Sequence, residues 1–227
     1  MLNNLKLTNP MFTRLVELCE ANYGPLDRRC LARSLDVVYD TFIRYPRVYA
    51  LRIDPRFAIE SPPDDPDTLL CLQRSDPKVI TRFIEALKEQ LRADHKRHGR
   101  QGEPELPAYI WCRERDTSVH CHYHVLLLFS KDDYAFLGNY RDYGAKNMGV
   151  RIQKAWCSAL SLPYPDHASL VEFPENNGCW LYRQDAISKD NAYLGFLYRI
   201  AYLSKQDTKI NDGYRNFGTS QVNQQGR

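Results

Sequence analysis

The chain has 227 residues, of which 43% are hydrophobic and 26% are charged, and its formal net charge is +3 at pH 7. A chain of this length and composition can bury a full hydrophobic core, which excludes a largely disordered protein. The small positive charge means that composition alone does not indicate a nucleic-acid-binding protein. We expect a single domain over residues 1–227, with residues 1–24 as an N-terminal extension and residues 221–227 as a frayed tail.

Three features of the sequence predict a cytoplasmic protein. Residues 1–6 lack the cationic start and apolar run of a secretory signal peptide. The longest apolar run, residues 125–129, is far too short to span a membrane. The seven cysteines include no Cys-x-x-Cys pair, which favours buried or free thiols in a reducing compartment over a disulfide framework or a zinc ribbon.

The first half of the chain contains two helical patterns and one strand pattern. Apolar residues at spacings of three and four predict a helix over residues 25–44. Residues 48–53 are rich in β-forming side chains and predict a strand that ends at an Asp-Pro pair. Residues 61–67 are rich in proline and aspartate and predict a solvated loop. A second helix is expected to begin at residues 76–77, and its far end is basic.

Half of the six histidines in the chain lie in one short stretch. They alternate along a predicted strand, residues 119–129, which follows a strand at residues 109–115 and a turn at residues 116–118. The three are His120, His122 and His124. Alternate residues of a strand lie on one face, about 6.6 Å apart. Two imidazoles at that spacing can bind one metal ion, whereas a polar patch on a half-exposed strand is the alternative.

The position of the histidines within their strand favours a ligand site. Beyond His124 the strand is apolar on both faces, which predicts a central strand of a covered sheet with the histidines at its solvent-facing end. The nearest carboxylate across the turn is Glu114. One loop length places Glu114 on the histidine face, and a loop one residue shorter places Arg113 and Trp111 there instead.

The next segments include a possible nucleic-acid contact. Residues 134–149 interleave aromatic and cationic side chains, which suits stacking on unpaired bases but also occurs in ordinary surface loops. The side chains concerned are Tyr140, Arg141, Tyr143 and Lys146. Residues 150–160 predict a short helix. Residues 169–173 and 179–182 predict two strands, and the Asn-Asn-Gly sequence between them predicts that they form a hairpin.

A helix predicted over residues 191–205 keeps two tyrosines and a lysine off its apolar stripe. Tyr198, Tyr202 and Lys205 fall within about 60° of arc on the other side of that helix. Tyrosines that pack in the core belong on the stripe, so these three residues are candidate site residues. The alternative is a pair of surface tyrosines beside a lysine. Residues 212–220 are expected to supply a last short strand.

The histidine strand and the tyrosine helix together resemble the HUH endonuclease superfamily of rolling-circle replication proteins. The matching pieces are His122-Tyr123-His124 and the Tyr-x-x-x-Tyr-x-x-Lys sequence from Tyr198 to Lys205. The wider pattern resembles more closely the prophage-associated YagK/YfjJ C-terminal family, also described as inovirus gene-two-like replication proteins. Its further pieces are Trp111-Cys112-Arg113-Glu114 and Phe217-Gly218-Thr219-Ser220. The resemblance extends over residues 25–220.

This resemblance implies a fold and a set of site residues. The fold is α+β, an antiparallel β-sheet with flanking helices in a ferredoxin- or RRM-like HUH core. His122 and His124 take the metal-ligand roles, Glu114 is the third ligand, and His120 competes with Glu114 for that place. The metal ion is Mg²⁺ or Mn²⁺. Tyr202 takes the nucleophile role, Tyr198 matches the second tyrosine of two-tyrosine relatives, and Lys205 matches the motif lysine.

The activity implied is metal-dependent nicking and joining of single-stranded DNA through a covalent 5′-phosphotyrosine intermediate. Lys205 is expected to lower the pKa of Tyr202 from its ordinary value of about 10. The substrate is single-stranded or hairpin DNA. No Gly-x-x-x-x-Gly-Lys-Ser/Thr motif occurs in the sequence, so a host helicase is expected to unwind the DNA and a host polymerase to extend the free 3′-hydroxyl.

Two other classes of function are compatible with the same residues. The first is a catalytically silent protein that binds DNA or RNA on the same sheet, for which affinity is indifferent to EDTA. The second is a zinc protein or a metal-dependent hydrolase of small phosphoesters, for which purified protein holds stoichiometric Zn²⁺ and has no affinity for polynucleotides.

Overall fold

The computed structural model describes residues 4–57, 76–115, 121–207 and 209–222. The α-helices in these ranges are α1 Asn9–Tyr23, α2 Arg28–Arg44, α3 Val79–Arg97, α4 Met148–Leu160, α5 Arg183–Ser188 and α6 Asn191–Ala201. The strands are β1 Arg47–Pro55, β2 Ala108–Glu114, β3 His122–Ser130, β4 Val171–Glu172, β5 Gly178–Tyr182 and β6 Phe217–Thr219. Short 3₁₀ turns occupy Ala168–Leu170 and Tyr202–Ser204.

The six strands form one antiparallel sheet, which confirms the predicted α+β fold with flanking helices. The strand order is β4-β1-β3-β2-β6, and β5 also pairs with β1. The long strands β1 and β3 lie in the middle, where Ile53 pairs with Val125 and Val48 pairs with Ser130. The predicted last strand is confirmed as β6, which pairs with β2 through Cys112 and Phe217.

Helices cover both faces of this sheet, so β3 is buried on both sides as its sequence predicts. Side chains such as Ala50 and Leu126 point to one face, which packs against α1, α2 and α6. Their neighbours Leu51 and Val125 point to the opposite face, which packs against α3 and α4. Because successive strand residues alternate between faces, an unbroken apolar run supplies two cores at once.

The predicted hairpin around the Asn-Asn-Gly sequence is wrong. β4 and β5 do not pair with each other; both pair with β1, where Pro55 faces Val171 and Leu51 faces Gly178. They are two parts of one edge strand, which residues 173–177 interrupt. Gly178 is needed because a Cβ atom there would lie 2.6 Å from the hydroxyl of Tyr49. Asparagine and glycine suit a bulge as well as a hairpin turn, and the pairing with β1 decided between them.

The helix ends differ modestly from the predicted ones. α2 begins at Arg28 because Asp27 caps it, with its carboxylate accepting hydrogen bonds from the backbone N–H groups of Arg29 and Cys30. The tyrosine helix was predicted to continue to residue 205, but α6 ends at Ala201 and the chain tightens into the 3₁₀ turn.

The residues predicted as an N-terminal extension include a helix that packs into the core. α1 buries Leu15, Val16 and Cys19, and the thiol of Cys19 donates a hydrogen bond to the backbone carbonyl of Tyr198 in α6. The predicted loop at residues 61–67, the turn at residues 116–118 and His120 lie outside the described residues. Within the described ranges, none of the helices is both long and apolar enough to cross a membrane.

Candidate metal centre beside Tyr202

The register of β2 against β3 brings Glu114 to the histidines. Glu114 pairs with His122, and Cys112 pairs with His124, so the carboxylate and both imidazoles lie on one face of the sheet. One ligand atom from each of the three side chains lies within 4.8 Å of the others. The alternative register is excluded, since Trp111 packs in the core on the α3 and α4 side. We refer to Glu114, His122 and His124 as the ligand triad.

Asp54, at the end of β1, sets the orientation of His124. Its carboxylate lies 2.8 Å from Nδ1 of His124 and is held by two hydrogen bonds from Arg52. Burial raises the pKa of Asp54, but its contacts with His124 and Arg52 outweigh that effect and lower it. Nη2 of Arg52 also lies 3.0 Å from Nδ1. Because the ionised carboxylate is nearer, we assign the Nδ1 proton to the His124–Asp54 hydrogen bond.

With the proton on Nδ1, Nε2 is the ring nitrogen of His124 that faces Glu114. It is buried without a hydrogen-bond partner among the described residues, and it lies 3.5 Å from the Glu114 carboxylate. In a neutral ring both groups are acceptors and repel each other, so a proton or a cation between them removes the conflict. Burial lowers the pKa of His124, yet the nearby carboxylates of Asp54 and Glu114 outweigh that effect and raise the pKa.

The ligand triad can therefore hold a metal ion. Two imidazoles and a carboxylate are a donor set common to many divalent metal sites. Burial, and then the nearby His124, lower the pKa of His122, which favours the neutral imidazole that binds metals. A hydrogen-bonded carboxylate behind a ligating histidine, as Asp54 lies behind His124, is the usual support of such sites.

Lys209 is the second supporting residue, and it links the triad to the tyrosine segment. Its ammonium group donates hydrogen bonds to Glu114 at 2.9 Å and to the backbone carbonyl of Leu203 at 3.3 Å. Burial raises the pKa of Glu114, but the contacts with His124 and Lys209 outweigh it, so the pKa lies well below its ordinary value. The carboxylate is therefore ionised although the residue is only 1% exposed.

Tyr202 lies directly beside the triad. Its ring meets the imidazole of His124 edge to face, with centroids 5.6 Å apart. The guanidinium carbon of Arg52 lies 5.5 Å from the Tyr202 ring centroid, and Nζ of Lys205 lies 5.9 Å from it. Burial, followed by the Glu114 carboxylate, raises the pKa of Tyr202 to about 12. The net shift is opposite in direction to the one expected from Lys205.

Tyr198 lies one step further from the histidines. Its ring packs against Tyr23, with centroids 5.1 Å apart, and Tyr23 in turn meets Tyr202 at 5.5 Å. Tyr23, the last residue of α1, therefore lies between the two tyrosines of the motif. Tyr198 is half-buried by this packing, whereas Tyr202 is the tyrosine that contacts a triad histidine.

Two tyrosines of the 134–149 loop pack against other aromatic residues of the protein. Tyr140 packs on Phe173, with centroids 4.5 Å apart, and Tyr143 packs edge to face on Tyr164. The cationic residues Arg141 and Lys146 are exposed. Stacking of these tyrosines on bases stays a prediction.

Four residues of the site were not found by sequence reasoning. They are Arg52, Asp54, Lys209 and Tyr23. The position of Asp54 was a weak indication of a site, because burying a carboxylate at the end of a buried strand costs free energy unless the carboxylate has a partner. Lys209 and Tyr23 follow no apolar pattern, and only the folded chain brings Lys209 to Glu114 and Tyr23 to the two motif tyrosines.

Comparison with known proteins shows the family to which the chain belongs. A family model described as the YagK/YfjJ C-terminal domain matches residues 8–220. The chain is 40% identical to the uncharacterized protein YagK of Escherichia coli (strain K12) over 188 residues, which cover 79% of this chain and 86% of YagK. It is 32% identical to the uncharacterized protein YfjJ of the same strain over 194 residues, 83% of this chain and 91% of YfjJ. No solved structure matches significantly. The chain belongs to the YagK/YfjJ C-terminal domain family.

Proposed function

We propose that this protein nicks and joins single-stranded DNA, using a divalent metal ion at the ligand triad and Tyr202 as the nucleophile. The observation that carries the proposal is the contact between Tyr202 and His124, because a phenol then lies beside three side chains that could hold a metal ion. The resemblance of the histidine strand and tyrosine motif to HUH endonucleases supports the same chemistry.

The side chains around the triad have separable roles in this proposal. Glu114, His122 and His124 would hold the ion, and Asp54 would keep Nε2 of His124 directed at it. When bound, Mg²⁺ or Mn²⁺ would polarise the scissile phosphoryl group and neutralise part of its charge. Arg52, which donates hydrogen bonds to Asp54 and has its guanidinium carbon 5.5 Å from the Tyr202 ring centroid, would add positive charge beside the reacting phenol.

The covalent step is a balanced transesterification. The Tyr202 oxygen attacks the phosphorus, the bond from phosphorus to the DNA 3′-oxygen breaks, and a 5′-phosphotyrosine forms. The phenol loses its proton and the departing 3′-oxygen gains one, so no outside reactant is consumed. Attack by a 3′-hydroxyl on the phosphotyrosine reverses these bond changes and joins strands, which is why one site can serve both reactions.

Deprotonation of Tyr202 is the demanding part of this step. With its pKa raised to about 12, the phenol is protonated at neutral pH. The cationic side chains of Arg52 and Lys205 flank its ring and stabilise negative charge on the oxygen. A bound divalent ion near Glu114 would also offset the carboxylate charge that contributes to the raised pKa.

The biological setting proposed is replication of a prophage or a related mobile element. The nick would leave a free 3′-hydroxyl for a host polymerase, while a host helicase would unwind the template. Joining by reversal would then release a circular strand. The support for this setting is the resemblance to inovirus gene-two-like replication proteins.

The proposal is tested by trapping the covalent intermediate. A labelled hairpin oligonucleotide incubated with the protein and Mn²⁺ should give an adduct that survives SDS. Tyr202→Phe should abolish the adduct, and the matched variant Tyr198→Phe should retain it. Loss of the adduct only in Tyr198→Phe would reassign the nucleophile. Oligonucleotide binding that is indifferent to EDTA, with no adduct from the wild-type protein, would instead identify a catalytically silent binding protein.

A further inference from the structure

A cleft of about 450 Å³ lies beside Tyr202, on the sheet face that carries His124. Its apolar lining includes Ala50, Leu126, Phe196 and Ile200. Tyr23 and Tyr202 add two aromatic rings to the lining, and Arg52 and Arg199 add two cations. The volume lies within the range of about 300–1,000 Å³ that small-ligand pockets have.

One wall of the cleft is the segment that interrupts the edge strand. Residues 174–177 all line the cleft, and the backbone carbonyl of Asn177 accepts a hydrogen bond from the N–H of Arg52 at 2.7 Å. The edge strand resumes its pairing with β1 on both sides of this segment. The interrupting segment lacks regular strand pairing with β1, and its polar side chains lie at the mouth of the cleft.

The polar wall offers both donors and acceptors. Asn177 is half-buried, whereas Glu175 and Asn176 are exposed. An asparagine side chain presents a carbonyl oxygen and an NH₂ group, and a glutamate presents two acceptor oxygens. Side chains of these types match the edges of nucleobases, which carry ring acceptors and exocyclic amines or carbonyls.

We infer that this cleft binds the unpaired base of the nucleotide next to the phosphate that Tyr202 attacks, with residues 174–177 contacting the edge of that base. The inference rests on the proposed nicking function and adds a determinant of sequence preference to it. A nucleobase has flat apolar faces and a polar edge, and the cleft pairs an apolar, aromatic lining with an amide wall. Arg52 and Arg199 suit the phosphates on either side of that base.

The test uses variants that alter the cleft without touching the ligand triad. Cys179 lines the cleft and is half-buried, so Cys179→Phe places a ring inside it. Asn177→Ala removes one polar side chain of the wall and keeps the backbone carbonyl. The controls are Ala192→Phe, which adds the same ring on an exposed part of α6, and Asn22→Ala on the exposed side of α1. Circular dichroism checks the fold of each variant.

Binding is measured by fluorescence anisotropy in EDTA, with Tyr202→Phe present in every protein so that no covalent bond forms. The probes are single-stranded oligothymidylate and an abasic strand of equal length. Cys179→Phe should weaken oligothymidylate binding about tenfold, the order expected for one lost base contact, and leave binding of the abasic strand unchanged. Asn177→Ala should weaken it in the same selective way. Both variants binding oligothymidylate as tightly as their controls would overturn the inference.

The adduct assay with Tyr202 restored separates this inference from the proposed function. An adduct that forms while the cleft variants leave oligonucleotide binding unchanged would reject the base site and keep nicking. Selective loss of base binding in the cleft variants, with no adduct from any protein, would keep the base site and reject nicking.

Discussion

The imidazole of His124 and the phenol ring of Tyr202 meet edge to face, with ring centroids 5.6 Å apart. His124 lies on the central strand β3, and Tyr202 lies on the 3₁₀ turn that follows α6. The contact joins a candidate metal ligand on the sheet to the predicted nucleophile on the helical layer. Substitutions of the residues that hold His124 or Glu114 should therefore change both the affinity for the metal ion and the surroundings of the Tyr202 ring.

Asp54→Asn should weaken Mn²⁺ binding by about 10- to 100-fold, the usual cost of losing the carboxylate behind a ligating histidine. The amide cannot hold the Nδ1 proton of His124 as the carboxylate does, and it releases Arg52. Isothermal titration calorimetry measures the affinity. The control is Asp212→Asn, which disrupts an ion pair with Arg113 away from the triad. Equal Mn²⁺ affinity in the two variants would contradict the role of Asp54.

Lys209→Met should destabilise the metal-free protein by about 2 kcal/mol, because it leaves the Glu114 carboxylate buried without its cation. The effect is smaller than for a fully buried pair, since the Lys209 side chain is 18% exposed. Excess Mn²⁺ should raise the melting temperature of this variant more than that of the wild type, because the ion replaces the lost charge. The matched control is Lys88→Met, whose partner Glu85 is exposed. Equal Mn²⁺-induced shifts of the melting temperature in the wild type and Lys209→Met would contradict the idea that Lys209 and the metal ion share the Glu114 carboxylate.

Asp27→Ala should lower the free energy of unfolding at pH 7 by about 1 kcal/mol, since it removes the N-cap of α2. Hydrogen bonds from the backbone of Cys30 and Arg29 lower the pKa of Asp27, although burial opposes them. A lowered folded-state pKa stabilises the fold above the unfolded value of 3.8, and this contribution is lost as the pH falls through the folded value.

The stability difference between Asp27→Ala and the wild type should therefore shrink in urea denaturation below pH 3.8. Asp36→Ala, inside α2, serves as the control and should not destabilise, because alanine favours helix interiors. A difference between Asp27→Ala and the wild type that stays constant down to low pH would show that the charge of the cap contributes nothing.

Two glycine substitutions should shift stability in opposite directions. Gly178→Ala should destabilise the protein by about 1–3 kcal/mol, because the new Cβ atom would lie 2.6 Å from the Tyr49 hydroxyl. Gly195→Ala should stabilise it by about 0.5–1 kcal/mol, because Gly195 is inside α6 and nothing lies within 4 Å of its added Cβ atom. Thermal denaturation measures both. A neutral Gly178→Ala would mean that the edge strand can move away from Tyr49.

The sequence predicted the elements that depend on local periodicity. The two-residue repeat placed His122 and His124 on one face, and the 3.6-residue repeat separated Tyr198 and Tyr202 from the apolar stripe, although Tyr202 lies on the 3₁₀ turn after the helix. The apolar run after His124 predicted a strand covered on both sides, as the two cores confirm. These features follow from backbone geometry, so they can be read along the chain.

The sequence left two registers for the strand that precedes the histidines, and the strand pairing selected the one that places Glu114 on the histidine face. It gave the wrong partner for β4 and β5, because the Asn-Asn-Gly sequence fits a hairpin turn as well as a bulge. In both cases the local residues allow more than one arrangement. The choice depends on which strand lies alongside, and that is a property of the whole sheet.

What the sequence by itself determined is which side chains are candidates for the proposed chemistry, since two alternating histidines and a tyrosine outside the apolar stripe are local patterns. Only the tertiary structure determined the setting of that chemistry: Asp54 behind His124, Lys209 on Glu114, and Tyr23 between the two tyrosines. These residues come from β1, from the segment after the 3₁₀ turn and from the end of α1. No repeat along the chain relates them, because their approach is fixed by strand pairing and by the packing of helices on the sheet.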